Sequence, residues 1–186
     1  MFSEKALFDT QVDLVKAATV KSVSHLSESY RGDGDYLSMP WIYATVATLV
    51  GFVAHGLVVS QVLKPSTGNV QVDAGLADVV KVGTVLTVSQ AINTAMAGQV
   101  DLSEQWMTST GVTLAAFFAF HVAVAPYVPK VEGRQAMVMD LAKAAFTSVA
   151  VQFVRGEEMN TEYFMTLAAT LAGFAIFHEV IYPRVF

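Results

Sequence analysis

Cysteine is absent from the chain, which removes disulfides, thiolate chemistry and zinc–cysteine sites from the functions open to it. Charge is scarce too. Charged residues make up 15% of the 186 residues, against roughly 25% in ordinary soluble domains. A soluble protein of this size has a high surface-to-volume ratio and needs a charged shell; this chain cannot build one. Basic charge is the scarcer sign, with 11 Lys and Arg against 16 Asp and Glu and a net charge of −5. The absence of a basic stripe to neutralise phosphates argues against a nucleic-acid partner. The opening residues Met1-Phe2-Ser3-Glu4-Lys5 have no long apolar core or small-residue cleavage site behind them, so a cleaved signal peptide is not expected.

What the chain has in abundance is apolar sequence: 54% hydrophobic residues and a mean hydropathy of +0.49. Three stretches, about Trp41 to Leu63, Trp106 to Val128 and Tyr163 to Val185, are long enough to cross a bilayer and contain no Lys or Asp. Trp41, Tyr43, Trp106 and Tyr163 would mark one interface, and Tyr127 and Tyr182 the other. Two weaker stretches run from about Asp78 to Ala97 and from about Met137 to Val154. A sixth, about Asp13 to Tyr30, is amphipathic and taken alone could lie on a membrane surface.

Self-comparison resolves the sixth stretch. Thr170-Leu171-Ala172-Gly173-Phe174…Phe177-His178…Pro183 matches Thr113-Leu114-Ala115-Ala116-Phe117…Phe120-His121…Pro126, with eight identities in sixteen ungapped positions. The first strong span carries Thr48-Leu49-Val50-Gly51-Phe52 and His55, one residue short before the histidine. The weaker stretches repeat as Asp13-x-x-Lys16, Asp78-x-x-Lys81 and Asp140-x-x-Lys143, each followed by a small residue, Ala18, Gly83 or Ala145. The expected fold is therefore all-α: one polytopic membrane domain over residues 1–186, six helices forming three repeated two-helix hairpins. The hairpins fall at about 8–66, 74–131 and 135–186. Each would open on Asp-x-x-Lys and return through Thr-Leu…His.

Six spans put both termini on one side. Eight bases then fall on that side and two, Arg31 and Arg155, on the other, with Lys21 unassigned inside the first helix. This bias predicts a cytoplasmic or equivalent location for the termini. The opposite loops, with Asp33, Asp35, Asp101, Glu104, Glu157, Glu158 and Glu162, are acidic. The membrane itself, whether cellular, organellar or inside a virion, is left open.

In a hairpin the start of the first helix and the end of the second share a depth, so Asp13, Lys16 and His55 should cluster, as should Asp78, Lys81 and His121, and Asp140, Lys143 and His178. The plainer reading is a clamp in which each carboxylate holds an imidazole N–H and each lysine snorkels to the headgroups. The alternative is a proton or ion pathway, since ionisable groups at membrane depth often mark one. Metal binding by the three repeated histidines is disfavoured, and no cofactor is expected. Gly51, Ala116 and Gly173, like Ala18, Gly83 and Ala145, are read as close helix-packing positions. Phe117 and Phe174 are read as packing, and His25, which has no repeat counterpart, as interfacial.

No phosphate-binding glycine loop, His-Glu-x-x-His helix, nucleophile elbow or potassium-filter sequence is present. The pattern is similar to mitochondrial carriers in having six helices, three repeats and an acid-x-x-base motif. It departs from them in repeat length, in lacking a proline before the acid, and in opening a helix with the motif, so no family is assigned. The expectation is a non-enzymatic structural or assembly subunit of a larger membrane complex or particle. Its partners would be the lipid bilayer and other membrane or particle proteins met through lateral helix contacts, with a homo-oligomer also possible. The alternative is a small ion or proton channel or transporter on the pseudo-threefold axis.

Overall fold

The computed structural model describes residues 3–32, 37–97 and 103–186, and these form helices joined by short turns. The helices are α1 (Glu4–Tyr30), α2 (Met39–Val62), α3 (Val70–Ala97), α4 (Glu104–Tyr127), α5 (Gln135–Val154) and α6 (Thr161–Val185). Five of them, α2 to α6, are long and apolar enough to cross a membrane. α1 falls short on composition, because Asp13, Lys16 and Lys21 interrupt it.

Local chemistry sets the helix ends. The backbone N–H groups of Trp41, Trp106 and Tyr163 donate to Ser38, Ser103 and Asn160, at 3.4, 3.2 and 2.9 Å. Each even-numbered helix therefore opens on a polar N-cap with its aromatic anchor three residues on, which satisfies an otherwise orphaned N–H. Gly32 and Gly156, just past α1 and α5, take φ of +84° and +65°, the left-handed turn that ends a helix and that a β-carbon would oppose.

The helix faces are inverted relative to a soluble protein. In α2 the buried residues are Thr45, Ala47 and Gly51, while Val46, Val50 and Val53 are exposed. The same holds in the first part of α6, where Ala169 and Gly173 are buried and Phe164, Met165 and Ile176 face outward, with Phe177 the one large buried side chain further on. An apolar surface over helix contacts made mainly by small residues suits lipid, where helices associate by close approach and not by hiding oil from water.

Each helix packs on its neighbours in the chain, and α1 packs on α6, so the six close into a ring. Two backbone-close crossings join different hairpins. A β-carbon on Gly51 would stand 2.8 Å from Val85 Cα, and one on Gly173 would stand 2.8 Å from Val20 Cα. Real β-carbons do not come so near, so these two glycines set the α2–α3 and α1–α6 distances. Ala116, their counterpart in α4, is buried and keeps its methyl group. Gly83 does not bear out the packing expectation: its nearest side-chain neighbour, Leu114, would lie 3.7 Å from a β-carbon, an ordinary contact.

The odd-numbered helices begin earlier than the sequence suggests. α1, α3 and α5 start at Glu4, Val70 and Gln135, so Asp13, Asp78 and Asp140 lie roughly one to three turns inside and do not open the helices. Stabilisation by the helix macrodipole, confined to the first turn, does not reach them. Of the expected acidic loop residues, Asp33, Asp35 and Asp101 lie outside the described residues.

Candidate functional site

The three aspartates and three lysines meet where α1, α3 and α5 converge. Lys16 Nζ donates to Asp140 Oδ2 at 2.7 Å, Lys143 Nζ to Asp78 Oδ2 at 2.6 Å, and Lys81 Nζ to Asp13 Oδ2 at 2.6 Å. Every one of these bonds runs between hairpins. The first hairpin gives its lysine to the third, the third to the second, and the second to the first. The result is a closed, charge-balanced ring of ion pairs with no end. All six side chains are largely buried, between 15% and 30% exposed. The expected role for lysine is therefore corrected: none of the three snorkels, because an aspartate of the adjacent hairpin lies within reach.

Two histidines lock two of the aspartates from behind, inside their own hairpins. His121 Nε2 is 2.7 Å from Asp78 Oδ2, and His178 Nε2 is 2.8 Å from Asp140 Oδ2. A carboxylate can only accept, so Nε2 carries the proton in each. Both rings are packed edge-on against the preceding phenylalanine, Phe120 or Phe177, and those two phenylalanines are fully buried. Lys16 also lies over the Phe177 ring, 5.5 Å from its centre, within cation–π range.

His55 does not join this pattern, which corrects the expected third cluster. The reason is helical register. Each returning helix contains a π-helical turn, at His55–Val59, Phe120–Val124 and Phe177–Ile181. Each turn begins seven residues after the threonine of Thr-Leu. Counted this way without a gap, His55 holds the place of Phe120 and Phe177, and Gly56 holds the place of His121 and His178. One residue is about 100° around a helix, so His55 points elsewhere. Thr10 fills the space at Gly56: a β-carbon there would collide with Thr10 Oγ1, which donates to the Ala6 carbonyl instead. Asp13 keeps Lys81 as its partner and gains no imidazole.

Cavities lie on both faces of the ring. On one, a space of about 290 Å³ is lined by the ring residues, by Phe52, Phe117 and Phe174 from the three returning helices, and by Lys21. It shares Val20, Phe117 and Phe174 with a second space of about 410 Å³ that runs along α5 to Gln152. Gln152 also borders a third, of about 400 Å³, lined by Glu157, Glu158 and Glu162. On the opposite face, about 570 Å³ opens beside Lys16, His178 and Arg134, and about 330 Å³ beside His55, Lys64 and Lys81. From sequence alone Lys21 is unassigned inside the first helix, and Phe117 and Phe174 are packing residues. Their common cavity becomes visible only once the helices are arranged about one axis. His25 stacks on Trp41 with 4.5 Å between ring centres, far from the ring.

Among the described residues no group of three potential metal ligands converges. Comparisons with protein-family models, with curated proteins and with solved structures find no match.

Proposed function

We propose that the chain is a small membrane transport protein whose axial passage is closed by the Asp–Lys ring. Of the two functions expected from sequence, this is the one the geometry supports better. The observation that carries it is the placement of the ring between cavities on its two faces. Lateral contacts with partner proteins would make no use of six charges on the chain's own axis. Buried ion pairs are weak sources of stability, because desolvation offsets much of the Coulomb attraction, whereas ionisable groups at membrane depth commonly mark a solute path. The ring is also suited to opening: each pair joins two hairpins, so parting the hairpins breaks whole pairs and leaves equal numbers of both charges.

In this reading the three hairpins are a triplicated unit, and α1 crosses the membrane as the sixth span. Its polar residues face the axis and not lipid, which is why its hydropathy is low. Both termini share the side of Lys64, Lys130 and Arg134, and the cavity lined by Phe52, Phe117 and Phe174 opens toward the acidic side. The test is reconstitution into liposomes, followed by osmotic swelling in isosmotic solutions of small anions, cations and neutral solutes. Swelling faster than in protein-free vesicles for one class supports transport. No excess swelling in any of them returns the chain to the structural reading, which stoichiometric co-purification with other membrane proteins would then support.

A further inference from the structure

Lys21 is the charge that the ring leaves over. The cavity on the Phe52 side is bordered by three aspartates and four lysines. Three of those lysines are bonded to the three aspartates. Lys21 makes no hydrogen bond or ion pair among the described residues. The acid that acts on it most, Glu28, lies further along α1, near His25, and does not line the cavity. A cation at membrane depth is costly without a counter-charge, and such groups face cavities where one can arrive. Here the cavity supplies one surplus positive charge, and Phe52, Phe117 and Phe174 supply an apolar wall.

From this we infer that the cavity is a binding site for a small amphiphilic monoanion, an organic carboxylate with an aromatic or short aliphatic body. Its carboxylate takes a charge-assisted hydrogen bond from Lys21 Nζ, and its body rests on the phenylalanines. A dianion would carry one charge too many for the balance. A neutral solute would leave Lys21 unpaired. A volume of about 290 Å³ is at the small end for ligand sites, which span roughly 300–1,000 Å³, and so favours a molecule of benzoate size. This assignment rests on the transport reading for its purpose but not for its test, because binding is measured on protein in detergent where no flux occurs.

The experiment is calorimetric titration of the solubilised full-length protein with benzoate and, separately, with benzamide, its uncharged counterpart. Wild type should bind benzoate and bind benzamide much more weakly. Lys21→Gln should lose about tenfold or more in benzoate affinity, the loss expected when a hydrogen bond to a charged group is removed, while melting at the wild-type temperature. Lys21→Arg should retain binding. Equal affinity for benzoate and benzamide, undiminished binding by a well-folded Lys21→Gln, or no benzoate binding by wild type at millimolar concentration would each overturn the site. Benzoate binding without flux in liposomes would keep the site and reject transport; flux without benzoate binding would do the reverse.

Discussion

Lys81 and Asp13 bond at 2.6 Å although 68 residues separate them, and among the described residues no histidine hydrogen-bonds this aspartate, unlike Asp78 and Asp140. This pair is thus the cleanest link in the ring to manipulate. Lys81→Asp sets two carboxylates against each other and should lower stability by about 2–4 kcal/mol, because it leaves charges uncompensated in a largely buried place. The double exchange Asp13→Lys with Lys81→Asp should recover at least half of that. Thermal unfolding of Lys81→Asp, Asp13→Lys and the double exchange in detergent measures the coupling directly. Simple addition of the two single losses would mean that the residues do not interact.

The histidines should differ among themselves. His121→Leu removes the second donor to Asp78 and should cost about 1–3 kcal/mol. His55→Leu should cost clearly less, since His55 makes no bond to Asp13. Melting temperatures compared side by side decide it. Equal losses would restore three equivalent clusters and undo the register assigned to Gly56.

Glycine substitutions separate close crossings from ordinary ones. Gly51→Ala and Gly173→Ala each force a methyl group against the backbone of a neighbouring helix and should destabilise by about 1–3 kcal/mol through overpacking. Gly83→Ala should be neutral or slightly stabilising, because its β-carbon finds room and alanine is the better helix former. Unfolding curves in which Gly83→Ala is the most damaging of the three would contradict the packing described here.

The absence of native cysteine makes topology straightforward to test. Single cysteines at Ser3, Thr67 and Gly133 should react with an impermeant thiol reagent from one side of sealed vesicles, and one at Ser103 from the other. Labelling of Ser3 and Ser103 from the same side would mean that α1 does not cross.

Much of this architecture can be read in the sequence because hydropathy and charge report depth. The spans of α2, α4 and α6 follow from unbroken apolar runs, and the shared depth of Asp78 and His121 follows from hairpin geometry alone. Depth says nothing about neighbours around a ring, however. Nothing in Asp-x-x-Lys reveals that Lys16 bonds Asp140 and not Asp13, since that depends on how six helices close. His55 misleads for a different reason. Aligning histidine with histidine inserts a gap that the helix does not contain, and one residue of slip turns the side chain by about 100°. The π-helical turns that fix the true register leave no sequence signal beyond their distance from Thr-Leu. Lys21 has no assignable side from sequence, because an unrepeated lysine in an amphipathic helix resembles a solvated face until α1 is placed beside the axis.

The most direct test of the central claim is solute leak through a loosened ring. Asp13→Asn with Lys81→Gln neutralises one pair without stranding a charge, so the protein should stay folded while one of the three links is weakened. Efflux of benzoate from liposomes containing this variant should be faster than from liposomes with equal amounts of wild type, at nearly unchanged melting temperature. Efflux from both no faster than from protein-free vesicles would contradict an axial passage, and the ring would then serve only to hold the three hairpins together.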